Sequence, residues 1–140
     1  MRPHWDRMNR EPRWSAVELS GNNIPTAPGV YACNRDGEPI YAGCALGAMG
    51  LRGRVWTNHL AVGNDLSRSS FRRNVCEHIG IATTATTRIR PTIMRSEQVH
   101  MVNEWIRECD ISWSVCPSSS EAKQLERTLL REWMPPLSRR

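Results

Sequence analysis

Two short apolar runs set the tightest limit on what this 140-residue chain can fold into. Residues 29–34 (Gly-Val-Tyr-Ala-Cys-Asn) and 39–43 (Pro-Ile-Tyr-Ala-Gly) are strand-like, and Arg35-Asp36-Gly37 joins them. An Asp-Gly pair between two such runs is a strong hairpin signal. Pro39, which has no N–H to donate, suits the start of a strand or an edge position. Loop length decides how the two tyrosines relate. A two-residue Asp36-Gly37 turn would pair residue 31 with 42 and send Tyr31 and Tyr41 to opposite faces. A three-residue loop with Gly37 in the left-handed conformation pairs residue 34 with 38 and hence Tyr31 with Tyr41. We expect the three-residue loop, with both phenols on one face; two ordinary core tyrosines are the other reading of the same pattern.

The remaining elements follow from periodicity. Residues 1–24 read as an irregular arm of mixed charge, with Trp5 and Trp14 packing it onto the domain, and Pro25 and Pro28 punctuate the extended entry. Residues 50–61 suit a helix with Leu51, Val55 and Val62 on one stripe, and residues 67–79 a second one, with Phe71, Val75 and Ile79 inward. A short strand is expected in the Thr-rich stretch 83–90. Residues 96–109 read as a helix through Val99, Val102 and Ile106. Alternation of Ile111, Trp113 and Val115 with Ser112, Ser114 and Cys116 marks a strand, and residues 118–133 form the last helix, stopped by Pro135-Pro136. This order is α+β: a small, mainly antiparallel three-stranded sheet flanked by helices, with the arm 1–24 preceding a single domain 25–140. The length leaves room for one core.

Composition narrows the function. The net charge of +5 rests on 18 arginines and one lysine, Lys123. Arginine's planar fork suits phosphate oxygens, so the bias points toward a polyanionic partner, with a merely solvated basic surface as the alternative. The excess is local: residues 50–90 carry Arg52, Arg54, Arg68, Arg72, Arg73, Arg88 and Arg90 against only Asp65 and Glu77. Five cysteines without a Cys-x-x-Cys pair argue against both a disulfide framework and structural zinc. The first residues lack the apolar core of a signal peptide and no run reaches membrane-span length, so a cytoplasmic protein is expected.

The last helix holds one anomaly. At about 100° per residue, Ala122, Leu125, Leu129, Leu130 and Trp133 share an apolar arc, and Glu126 falls inside it. A carboxylate in such a place needs an arginine, a metal ion or a solvated cleft. Glu121 has a simpler role, since Ser118 three residues earlier makes with it a capping box.

These features together resemble a known family. Gly29-Val30-Tyr31, then Tyr41-Ala42-Gly43, then Leu51-Arg52-Gly53-Arg54-Val55, and finally Glu126-Arg127-Thr128-Leu129-Leu130 before Pro135-Pro136-Leu137 are similar to the GIY-YIG nuclease domain. The likeness covers residues 28–62 and 110–138, which leaves residues 63–109 as a helical insertion. It implies a metal-dependent endonuclease acting on DNA, with Mg2+ or Mn2+ as cofactor. By position, Tyr31 becomes the base that activates water, Tyr41 orients water or phosphate, Arg54 stabilises the developing charge and Glu126 holds the cation. A free tyrosine titrates near pH 10, and lowering it by about three units is worth about 4 kcal/mol, which a nearby cation or arginine would supply.

Several positions depart from the family pattern. Cys44 follows the second motif, where repair-type members often carry lysine. One turn after Arg54 stands Asn58 rather than histidine or tyrosine. His59 lies about 140° from Arg54 on a regular helix, nearer Arg52, so a shifted register would make Arg52 and His59 the active pair. Ser138 occupies the place of the family's asparagine. The alternative to an active nuclease is therefore a catalytically impaired module that still binds nucleic acid, with a small protein-interaction domain as a third reading. Arg52, Arg68, Arg72, Arg73, Arg88 and Arg90 are the expected nucleic-acid contacts, and a homodimer or partner protein would supply target choice.

Overall fold

The strand Gly29–Arg35 is buried along almost its whole length, so both of its faces must be covered by apolar partners. In the computed structural model, which describes residues 1–138, helices lie on both sides of the sheet. In chain order the main elements are α1 (Pro3–Met8), β1 (Trp14–Ser15), β2 (Gly29–Arg35), β3 (Glu38–Ala45), a π-helix (Arg52–His59), α2 (Ser70–His78), α3 (Thr84–Thr87), α4 (Ser96–Arg107), β4 (Asp110–Val115) and α5 (Ser119–Glu132). A 3₁₀ turn, Pro136–Ser138, follows. The strands form one antiparallel sheet in the order β1-β4-β2-β3.

Tyr31, Cys33, Tyr41 and Ile111 face a core completed by Leu51, Val55, Phe71, Val75, Val102 and Ile106. Val30, Ala32 and Ala42 face the opposite way, onto Trp5, Met8 and Leu129. α+β architecture with a small antiparallel sheet therefore stands, but with four strands rather than three. The extra strand comes from the stretch read as an irregular arm, where Trp14 pairs with Ile111 and Ser15 with Asp110. That stretch also supplies α1, whose Trp5 is 1% exposed and donates its indole N–H to the carbonyls of Leu129 and Trp133 at 2.8 and 3.0 Å. The strand expected within 83–90 is instead the helical turn α3, because Thr83 caps it by accepting the Thr86 N–H.

The hairpin departs from the expected register in an instructive way. Its turn has two residues, Asp36 and Gly37, both at positive φ (52° and 83°), the backbone that suits a tight hairpin. Alone, that turn would separate the tyrosines. A register shift between Cys33 and Asn34 then makes Ile40 an extra residue, so Tyr41 pairs with Cys33 and Tyr31 with Gly43. The phenols end on one face as expected, but diagonally, and the bulge rather than a longer loop puts them there.

Between the π-helix and α2 the chain is held by a buried arginine. Arg72, 1% exposed, donates to the carbonyls of Gly63 (2.8 Å) and Asp65 (3.5 Å) and to Asn103 Oδ1 (2.9 Å). Asp65 accepts the backbone N–H groups of Ser67 and Thr92, both at 3.0 Å, and these hold its carboxyl well below the usual range. Arg72 is thus removed from the expected nucleic-acid contacts: its guanidinium faces the protein interior. Arg72→Met should leave these carbonyls and Asn103 short of donors and lower stability by about 2–4 kcal/mol, seen as a reduced denaturant midpoint at unchanged m-value.

Candidate active site

Tyr31 emerges from the middle of β2 into the first core, and its hydroxyl has to be satisfied there because the residue is 2% exposed. Gly43, directly across on β3, makes the space. A Cβ at that position would stand 2.5 Å from the Tyr31 hydroxyl oxygen and 2.8 Å from Cζ. The Tyr31 and Tyr41 rings lie 6.2 Å apart, centroid to centroid, inclined by 30°.

His59 completes the group, against the expectation from regular helical geometry. It is fully buried, its Nε2 stands 2.6 Å from the Tyr31 hydroxyl, and its ring lies 5.2 Å from that of Tyr31. The reason is the winding of Arg52–His59. The Leu60 N–H reaches back to the Val55 carbonyl at 2.9 Å, an i→i+5 bond that brings residues five apart onto one face. Arg54 and His59 are five apart. Arg52 is drawn elsewhere, donating through Nε to the Ile24 carbonyl at 2.9 Å, so the Arg52–His59 pairing is not formed. The Arg54 side chain is exposed, with its charge near both tyrosines, Cys44 and His59.

Three residues from the segment read as an insertion enter the site. Ser69 caps α2 by accepting the Arg72 N–H at 3.0 Å, and its Oγ lies 2.6 Å from His59 Nδ1. Ser70 hydrogen-bonds the Tyr41 hydroxyl, and Phe71 packs 5.1 Å from the Tyr41 ring. A serine pair before an apolar-periodic run is a legible helix start, but its approach to His59 and Tyr41 is a tertiary fact.

Beside this group a cleft of about 860 Å³ runs along the edge strand β3. Tyr41, Ser70, Arg73, Arg88, Glu126 and Ser138 stand on its walls. Glu126 is half-buried on α5 and has no ion pair among the described residues, so its place in the apolar arc is explained by the cleft and not by an arginine. Ser138 accepts the Ala42 N–H at 2.9 Å and so ties the C-terminal turn to β3. Of the other arginines, Arg73 reaches the Ser67 carbonyl and lies near Arg88 and Arg90, and the last two are exposed, as is Arg68.

Electrostatics set the protonation states. Burial, reinforced by Tyr41 and Cys33, pushes the Tyr31 phenol well above its ordinary value, while Arg54 pulls the other way. The expectation of a lowered phenol is therefore not met by the chain alone. Burial, with Arg54 and Arg73 adding to it, lowers His59 to about 3 and keeps the imidazole neutral. Burial also raises the Cys44 thiol beside Glu126. Among the described residues no group of three or more His, Cys, Asp or Glu side chains is placed to hold a metal ion, and no helix is long and apolar enough to cross a membrane.

A family model described as the GIY-YIG catalytic domain matches residues 20–140, which include the whole hairpin, the π-helix, α2 and α5. No curated protein and no solved structure matches the chain significantly.

Two outcomes follow from this packing. Gly43→Ala should cost about 1–3 kcal/mol by forcing the Tyr31 phenol from its seat, and a neutral effect would show that the seat is not filled as described. His59 has a folded-state value of about 3, below its unfolded value near 6.5. Its contribution to stability is therefore complete above pH 6.5 and declines as the pH falls toward 3, by about 1.4 kcal/mol per pH unit. Unfolding curves across that range should show this slope in the wild type and lose it in His59→Gln.

Proposed function

This chain belongs to the GIY-YIG catalytic domain family, a nuclease-type fold, and on that premise we propose that it is a metal-dependent endonuclease hydrolysing DNA phosphodiester bonds. The observation that carries the reading is the cluster of Tyr31, Tyr41 and His59 near the Arg54 charge, beside a cleft on whose walls stand Tyr41, Arg73, Arg88 and Glu126, the last without an ion pair among the described residues. In this reading the scissile phosphate enters along β3. Arg54 and Arg73 offer preorganised positive charge where negative charge develops. Tyr41, on the cleft wall, orients the attacking water, and Tyr31, one layer deeper, takes its proton.

The donor set fits a hard divalent cation. Glu126 is the carboxylate on the cleft wall, the neighbouring Cys44 thiol is kept neutral, and Mg2+ or Mn2+ characteristically takes one or two carboxylates and completes its shell with water and substrate phosphate. When bound at Glu126, the cation would offset phosphate charge and acidify water. The chain's own residues do the rest: Arg54 favours the ionised form of Tyr31, Gly43 gives the phenol its space, and Ser138 holds the cleft's C-terminal wall against Ala42. Arg88 and Arg90, with Arg68 further along the segment, serve as phosphate-backbone contacts that position DNA without reading sequence.

Supercoiled plasmid tests this. Nicking should require Mg2+ or Mn2+, stop with chelator, and fall at least about 100-fold in both Arg54→Ala and Glu126→Ala. Cleavage that persists in Glu126→Ala would refute the cation assignment. A wild type that cuts neither DNA nor RNA but binds with a steep salt dependence would make the domain a binding module instead.

A further inference from the structure

We propose that Ser69 fixes the tautomer of His59, so that the imidazole donates its Nε2–H to the Tyr31 oxygen and supports a tyrosinate instead of collecting the tyrosine's proton. The inference rests on the reading of Tyr31 as the base and makes Ser69 a positioning residue for it.

Hydrogen-bond accounting leads there. Ser69 is 2% exposed, and its Oγ already accepts the Arg72 N–H at 3.0 Å while meeting His59 Nδ1 at 2.6 Å. A serine hydroxyl has one hydrogen to give and two lone pairs. Were Nδ1 protonated, Oγ would accept from both neighbours, and the Ser69 hydrogen would have no acceptor among the described residues. With Nδ1 bare, Ser69 donates to it, Nε2–H donates to the Tyr31 oxygen, and the Tyr31 hydrogen is taken by its side-chain partner Tyr41, so no hydrogen of the chain is left over. Since burial and the charges of Arg54 and Arg73 keep the ring neutral, its single proton then sits on Nε2, 2.6 Å from the Tyr31 oxygen. The hydrogen bond made by one ring nitrogen settles what the other can do.

The chemistry changes accordingly. Burial keeps Tyr31 protonated in the chain alone; once its proton has left to the solvent of the cleft, the tyrosinate is held by the Nε2–H of His59 in a charge-assisted bond and by the field of Arg54. The titratable and charged groups around the pair are Cys33 on β2, Tyr41 on β3, Arg54 on the π-helix and Arg73 on α2. A water O–H bond breaks, its proton passes to the Tyr31 oxygen, and the electron pair left on the water oxygen forms the new bond to phosphorus. The leaving oxygen departs with the pair of the old P–O bond and takes a proton from solvent. His59 keeps its proton throughout.

Nitrogen-15 labelling of histidine, with His59 assigned by its loss in His59→Gln, reads the tautomer in the protein without DNA. The expected wild-type spectrum has Nε2 protonated and Nδ1 bare. Ser69→Ala should populate the other tautomer, lower kcat about 10- to 100-fold at unchanged KM, and move the rising limb of the pH–rate profile upward by about one unit. Ser69→Thr, which keeps both cap and hydroxyl, should restore all three. A wild-type proton on Nδ1 overturns the proposal, as does a His59 spectrum unchanged by Ser69→Ala. If Ser69→Ala fails to fold, the wild-type spectrum still decides. A wild type that never cuts DNA but carries its proton on Nε2 supports the role of Ser69 and sinks only the nuclease reading.

Discussion

The hydroxyl of Tyr31 lies in a core that admits almost no water, and a phenol so placed must find its partner inside the protein. Much of the site's architecture answers to that requirement. His59 has to reach Tyr31, and only a widened helix turns it to the same side as Arg54. His59 in turn needs a partner for its second nitrogen, so α2 must be capped by Ser69. For α2 to begin there, the loop before it has to be pinned, which is the work of buried Arg72 and of Asp65. A single polar atom on the central strand thus dictates the course of the chain over some forty residues.

How much of this was legible in the sequence depends on whether a feature is local. Tyr31, Tyr41, Arg54 and Glu126 could be picked out because each sits in a short motif or breaks a periodic pattern. The 100° step of a regular helix misplaces His59, because the backbone here follows i→i+5 bonding. A three-residue loop predicts one face for both tyrosines, and a tight turn with a bulge at Ile40 reaches the same face by another route. Arg72 looked like a phosphate contact because its partners, Gly63 and Asn103, are brought to it only by folding. Ser69 and Ser70 fall inside the helix expected over 67–79, whereas the helix starts at Ser70 with Ser69 as its cap, and nothing local marks their approach to His59 and Tyr41.

The cleft owes its character to where β3 stands in the sheet. As the edge strand it lets groups from both faces meet: Tyr41 from the side of α2, and Glu126 from α5 on the other side. A central strand could not do this, because helices would separate its two faces. The segment between the π-helix and β4 adds Arg73 and Arg88, so the Glu126 carboxylate and two arginines share the walls of one gap.

An edge strand beside a functional cleft carries a hazard of its own, for its unpaired backbone groups are a template on which other chains can add. Here the exposed edge is stopped by Ser138, whose hydroxyl both accepts from the Ala42 N–H and approaches the Ala42 carbonyl at 3.4 Å. At the opposite edge β1 is only two residues long. The Pro136–Ser138 turn therefore works as a plug as well as a wall. Loosening it would expose a sticky ribbon at the mouth of the cleft, so self-association is the failure to expect from damage to this tail, ahead of any change in chemistry.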